Sequence, residues 1–455
     1  MGTGKPYRAF TTDDLTRDGL GRTLFRMTWP MLFGVIALLG VQLVDAAFIA
    51  RLGVDELATF GFTQPIQQLI IGAQVGLGIA TTALIGRALG AGQEQTARGL
   101  GLLVVLIGTA FIGAVCVLLW LMQVPLVRAL GAESDLLPLV RNYWGPWLLS
   151  AWIGGVLYFG YSLCRAHGKT GLPGLLMVVT SVINLVLDPL FIFVFGWGLA
   201  GAAWATVVAF SAGAALVFWH VRRRHWLSRD LGTTTLPRAL RDLSAITGPA
   251  TVGQLAPGLA AALATGLVAY HGGAAVAAWG VGTRLEFFSI VVVLALTMSL
   301  PPIVSRFQGA GDIERIRQVV RLAVGFVLAW QLTVGLLLMT ASGLLAPLLS
   351  SDTSVSAVLQ DYLLRVPISY AALGICMLMV SVCNALGMPL QALLISLLRL
   401  LLFYLPALWL GSRLAGMPGL LTGAMLGNIG AGLSAWLLYH RAMQWLEPTA
   451  RQEPA

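Results

Sequence analysis

The sequence predicts an all-α membrane protein with twelve transmembrane helices in two pseudo-symmetric six-helix lobes, and three observations predict it. Of its 455 residues 58% are hydrophobic and 10% charged, with a mean hydropathy of +0.85, far from the roughly 25% charged balance of soluble domains. Apolar runs long enough for a hydrocarbon core of about 30 Å recur along the chain. The segment from Pro30 to Gly92 matches Pro249 to Gly311 without a gap, at a constant offset of 219 residues.

The repeat falls on residues that punctuate helices. Pro30 pairs with Pro249, Gly34 with Gly253, Gly53 with Gly272, Gly61 with Gly280, and Arg87-x-x-Gly90-Ala91-Gly92 with Arg306-x-x-Gly309-Ala310-Gly311. The offset persists at Cys164 and Gly168 against Cys383 and Gly387, then slips by one at Gly198 and Gly201 against Gly416 and Gly419. The spans read as 24–50, 58–86, 99–122, 139–163, 173–195 and 199–220, then 245–270, 276–305, 318–345, 357–384, 391–412 and 417–440. This gives a lead-in (1–23), an N-lobe (24–220), a linker (221–244), a C-lobe (245–440) and a tail (441–455). Two parallel halves with a site near the midplane are a usual construction for secondary transporters.

The lead-in carries Asp13, Asp14 and Asp18 ahead of the first apolar run, so it does not read as a cleavable signal. With the N-terminus inside, 21 of the 28 basic residues fall on inner segments, including Arg222, Arg223 and Arg224 in the linker. Only Arg51, Arg128, Arg141, Arg365 and Arg413 fall at outer positions. That bias places both termini in the cytoplasm and accounts for the net charge of +9 without a nucleic-acid partner. The linker, with Thr233, Thr234, Thr235 and Pro237, reads as a flexible surface connection. Cys116, Cys164, Cys376 and Cys383 lie in apolar spans and read as small buried hydrophobes.

An ionisable group at the centre of a spanning helix costs about 2.5–3.5 kcal/mol on insertion scales, so each one requires a reason. Asp45 lies in the first span and Asp188 in the fifth, neither with a basic residue in its own helix. Asn184 and Asp188 are four apart and share a helical face. Pro189 has no N–H, which leaves the carbonyl of Leu185 without its helical donor. Thr206 in the sixth span adds a hydroxyl. Such oxygen ligands suit a proton or a hard cation such as Na+, and not zinc. Burial disfavours the ionised form of a carboxyl, the direction a proton carrier needs. Arg284 and Glu286 in the eighth span form a further polar site unless they neutralise each other; Arg399 in the eleventh joins it or snorkels. Pro30 reads as a fixed kink or as a hinge on the helix that bears Asp45. Under the repeat, Asp45 faces Ala264 and Asp188 faces Ala407 or its neighbour, so the coupling acids belong to the first half alone.

These elements resemble the multidrug and toxic compound extrusion family, in its DinF-like prokaryotic branch. The resemblance covers residues 24–440 and rests on Asp45-x5-Arg51-Leu52-Gly53 with Glu56-Leu57-Ala58, on Gly90-Ala91-Gly92, on Asn184-x3-Asp188-Pro189 and on Arg284-x-Glu286. It implies a V-shaped, monomeric, multi-pass transporter of the bacterial or archaeal inner membrane, without a cofactor. Such a protein exports amphipathic, often cationic small molecules in exchange for H+ or Na+. It also implies that Asp45, Tyr143, Asn184, Asp188 and Thr206 form the coupling site and that the helix bearing Pro30 bends. Another branch carries acids in the seventh and tenth spans, where this chain has only Asp361, near an end. A lipid-linked saccharide flippase would need a strongly basic cavity, against Arg284 and Arg399 alone. An intramembrane aspartyl hydrolase built on Asp45 and Asp188 has no marked scissile-bond site. The reading is therefore a transporter and not an enzyme.

Overall fold

The computed structural model describes the backbone of residues 19–450 and the side chains of residues 19–444; Asp13, Asp14, Asp18 and Arg451 lie outside the described residues. The first unit runs to Thr251 and the second starts at Val252. In the first lie α1 (Leu20–Ala50), α2 (Val54–Gly90), α3 (Glu94–Leu121), α4 (Gln123–Ala129), α5 (Leu137–Ala166), α6 (Gly171–Pro189) and α7 (Gly198–Arg223). Helix α8 (Leu236–Ala269) belongs to the first unit as far as Thr251 and to the second beyond it. The second unit continues with α9 (Gly273–Ser289), α10 (Val291–Gly309), α11 (Ile313–Thr340), α12 (Ser342–Leu349), α13 (Thr353–Arg365), α14 (Tyr370–Ala385), α15 (Pro389–Leu397) and α16 (Leu405–Ala450).

The repeat reappears as matched helix ends. Val54 and Gly273 start equivalent helices, as do Glu94 and Ile313, and Gly90 and Gly309 end them, all 219 residues apart. The short helices α4 and α12, which apolar run lengths alone do not reveal, also begin at that offset, at Gln123 and Ser342. The paired glycines recur because their backbones need them. Gly92 and Gly311 have φ of 74° and 72°, and Gly168 and Gly387 have 73° and 68°, values that side chains with a Cβ disfavour.

Eleven stretches among the described residues are long and apolar enough to span a membrane. The last, Pro389–Gln444, has 56 residues, about 84 Å of helix at 1.5 Å per residue, which is too long for one crossing. It breaks at Ala415 and Gly416, where φ and ψ are −143°, 24° and 62°, −142°. Around the break Gly411 meets Gly419, the Ala407 carbonyl meets Gly423 and Phe403 meets Gly427, the nested order of an antiparallel hairpin. Two spans therefore share this stretch, and the count is twelve.

Two spans that read as single helices are interrupted. The eighth divides at Ile290 (φ −88°, ψ 3°), beside Gln331, a fully buried residue whose amide donates to the Ser289 carbonyl at 3.2 Å. The tenth changes to a 3-10 turn at Pro367–Ser369, since proline removes the donor that the α pattern requires.

The connection between the halves is docked rather than free. Ser228 N–H donates to the Arg98 carbonyl at 3.2 Å, Gln95 reaches Ser228 at 2.9 Å and Asp230 at 3.3 Å, and the Thr96 and Thr233 hydroxyls lie 3.2 Å apart. Trp226 is 2% exposed and stacks on His167 with centroids 4.1 Å apart. Gly99 and Gly101 give the strand of linker its seat, since a Cβ there would meet the backbone of Asp230 and Trp226. The start of α8 then rests on α2, where Arg87 faces Asp242 and Gly76 admits Thr247 and Thr251.

Candidate functional site

Helix α1 carries Asp45 and crosses α6 at close range. Gly174 of α6 lies against the Pro30 carbonyl, and Gly34 of α1 lies against Met177. A pair of glycines at a crossing lets two backbones approach where side chains would hold them apart. This places the C-terminal half of α1 beside the C-terminal end of α6, and Phe48 meets Phe193 edge-on at 6.0 Å.

At that end the Asp45 and Asp188 carboxyl groups face each other within interaction range. Two carboxylates placed so repel each other, which favours a proton on one of them. Asp188 is fully buried, and its Oδ2 and the Oδ1 of Asp45 have no hydrogen-bond partner. Asn184, 4% exposed, donates from Nδ2 to Asp188 Oδ1 at 3.3 Å and to Thr206 Oγ1 at 3.2 Å. Thr206 already gives its proton to the Ala202 carbonyl at 3.0 Å, so it can only accept from Asn184. The amide nitrogen, and not the oxygen anticipated from helical spacing, therefore faces the acid.

Tyr143 of α5, 4% exposed, completes the group: its hydroxyl lies within interaction range of Thr63 of α2 and of Asp45. Five residues from α1, α5, α6 and α7 thus meet in the first unit, where the sequence placed them. Thr63 joins them without having been anticipated, and Thr59, one turn earlier and fully buried, has an unpartnered hydroxyl. Neither carries a sequence signal, because threonine is ordinary in an apolar helix. After Pro189, α6 widens into a π-helical turn over Leu190–Val194, closed by Phe195 N–H on the Leu190 carbonyl at 2.9 Å. Such turns mark functional positions in helices, and here one adjoins Asp188.

The second unit has a different centre. Glu286 of α9 accepts from the Tyr362 hydroxyl at 3.2 Å, with Tyr370, Tyr404 and Arg399 facing it. Arg399 sits in a second π-helical segment, Leu398–Tyr404. Arg284 is not part of this group: it is exposed, and two residues from Glu286 it occupies another face of the helix. The three tyrosines were not anticipated, but one was legible. Tyr362 stands 219 residues after Tyr143, so equivalent tyrosines face acids on different helices of the two units.

The MatE family model matches residues 30–190 and again 249–410. A curated relative, the FAD transporter of Shewanella oneidensis, is 33% identical over 94% of this chain and 96% of its own. The multidrug export protein MepA of Staphylococcus aureus is 21% identical over 92% of this chain and 93% of its own. Among solved structures, the MATE transporter VcmN of Vibrio cholerae in the bent form is 53% identical, with a TM-score of 0.92, covering 94% of this chain and 98% of that one. With both halves of its repeat matched, the chain belongs to the MatE family of multi-pass membrane transporters.

Proposed function

We propose that this protein is a proton-coupled exporter of amphipathic, often cationic small molecules, acting as a monomer in the inner membrane with both termini in the cytoplasm. The observation that carries the reading is the juxtaposition of the Asp45 and Asp188 carboxyl groups beside Asn184. Two facing carboxyl groups, one of them fully buried, favour holding a proton over carrying two charges, and a positive charge nearby reverses that preference. The orientation of Asn184 favours H+ over Na+, since a sodium ion would meet amide hydrogens where it needs oxygen. Protonation and drug binding must then favour opposite states for exchange to be coupled. Pro30 provides the hinge: α1 is continuous from Leu20 to Ala50, and a proline inside a helix contributes no N–H to its hydrogen-bond ladder. The bent form of the Vibrio cholerae relative supports a family with more than one shape.

The test is efflux of ethidium from everted vesicles, with the pH and sodium gradients varied separately. Asp45→Asn and Asp188→Asn should each abolish efflux driven by the pH gradient while leaving the protein folded. Full-rate efflux by Asp45→Asn, or efflux that follows sodium alone, would overturn proton coupling. A second substrate reading, export of a flavin dinucleotide, comes from the 33% identity with the Shewanella oneidensis protein. Competition of FAD with ethidium in the same vesicles decides between the two.

A further inference from the structure

The proton that reaches Asp188 must leave toward the cytoplasm, and α6 has about 25 Å to run from Asp188 down to Gly171. Buried polar atoms mark a route along it. Ser181, 5% exposed, lies one turn below Asn184, and its hydroxyl has no partner. Next to it Thr180, whose hydroxyl donates to the Leu176 and Met177 carbonyls at 2.9 and 3.1 Å, lies within interaction range of Tyr161 of α5, which is 4% exposed and has an unpartnered hydroxyl. One turn further down α5 is Arg165, 4% exposed, which donates to Ser162 Oγ at 2.8 Å and lies 5.0 Å over the Tyr158 ring, with Nη1 unpartnered. Just beyond it α5 ends at the turn through Gly168 and Lys169. Within a membrane, unsatisfied buried groups are costly, and in native proteins they commonly hold water.

Resting on the proton-coupled reading above, we propose that Asn184, Ser181, Thr180 and Tyr161 form a hydroxyl-and-amide ladder carrying the coupling proton from Asp188 toward the cytoplasm, with Arg165 as the valve at its foot. A hydroxyl both accepts and donates a proton, so Ser181, Thr180, Tyr161 and the water between them pass H+ without net chemical change, while the Asn184 amide holds the Asp188 carboxyl at their head. The fixed charge of Arg165 opposes passage of a cation when no substrate turns the protein over, as an arginine does in selective pores. Release then requires Arg165 to leave its Ser162 bond, which ties proton exit to a rearrangement of the inner end of α5.

Proteoliposomes holding a pH-sensitive dye test this directly. Without substrate the wild type should be tight, and Arg165→Gln should leak protons about tenfold faster, equivalent to a barrier lower by about 1.4 kcal/mol. Adding Ser181→Ala or Tyr161→Phe to Arg165→Gln should suppress that leak, and Ser181→Thr should not. A tight Arg165→Gln protein overturns the valve. A leak that neither ladder substitution reduces is damage to the bundle and overturns the ladder. The coupling reading fails separately, if wild-type protein exports ethidium with no proton movement at all.

Discussion

Asn184 donates to two acceptors at once, Asp188 Oδ1 and Thr206 Oγ1, so its loss is felt on both helices. Replacing it with leucine keeps the volume and leaves Asp188 Oδ1 and Thr206 Oγ1 without their amide partner. A buried acceptor stripped of its donor costs about 1–3 kcal/mol. Asn184→Leu should lower thermal stability in detergent by that order and reduce proton-driven efflux, while Thr206→Val, which loses one acceptor and its satisfied hydroxyl, should do less. A stability unchanged by Asn184→Leu would mean that the amide is not holding the acid. At this scale the sequence was most legible, since charges in apolar helices are rare enough to count. Asp45, Asp188 and Asn184 could be selected by type and spacing alone. The orientation of the Asn184 amide could not, because it depends on Thr206 having spent its proton on the Ala202 carbonyl.

Helices in this protein are positioned by what their glycines admit. Gly174 is the clearest case: a Cβ there would enter the space of the Pro30 carbonyl, so Gly174→Ala must push α1 and α6 apart. Overpacking of this kind costs about 1–3 kcal/mol, and because α1 brings Asp45 to Asp188, efflux should fall along with the melting temperature. The docked linker behaves differently. Its contacts run to α3, to His167 just beyond α5 and to His220 of α7, all in the first unit, so it has no need to detach during transport. Thr96 and Thr233, with hydroxyls 3.2 Å apart, can be exchanged for cysteines; the native cysteines Cys116, Cys164, Cys376 and Cys383 are all buried and free. The oxidised Thr96→Cys/Thr233→Cys protein should export ethidium at the wild-type rate. Loss of activity restored by reductant would show that the linker moves. Sequence composition pointed to a flexible segment here because Ser, Thr and Gly are common in loops, but hydrogen bonds made by those same side chains to residues about 135 positions earlier leave no local pattern. The breaks at Ile290 and Ala415 were hidden for a related reason: periodicity reports how apolar a helix is and not where a distant Gln331 or a hairpin interrupts it.

The internal repeat yields two units of similar helix order but unlike chemistry, and the packing shows how the second copy dispensed with the acid of the first. Ala264 stands where the repeat would place a counterpart of Asp45. It is 1% exposed and lies in an apolar cluster with Val268, Trp279, Leu408 and Leu420. Tyr362, equivalent to Tyr143, adjoins the same cluster but turns its hydroxyl to Glu286. The polar demand of the second unit is therefore met from α9, and the position on α8 has been filled with hydrocarbon. Restoring the acid should not restore a site. In Ala264→Asp the carboxyl would enter this cluster without an asparagine or a second carboxyl placed to meet it, and a buried charge with no partner costs about 3–5 kcal/mol. The variant should give a lower folded yield and melting temperature, and the protein that does fold should move the same number of protons per ethidium as wild type. A rise in that ratio would mean that the second unit can be converted to coupling by one residue, and that the difference between the halves lies in that residue alone and not in the packing around it.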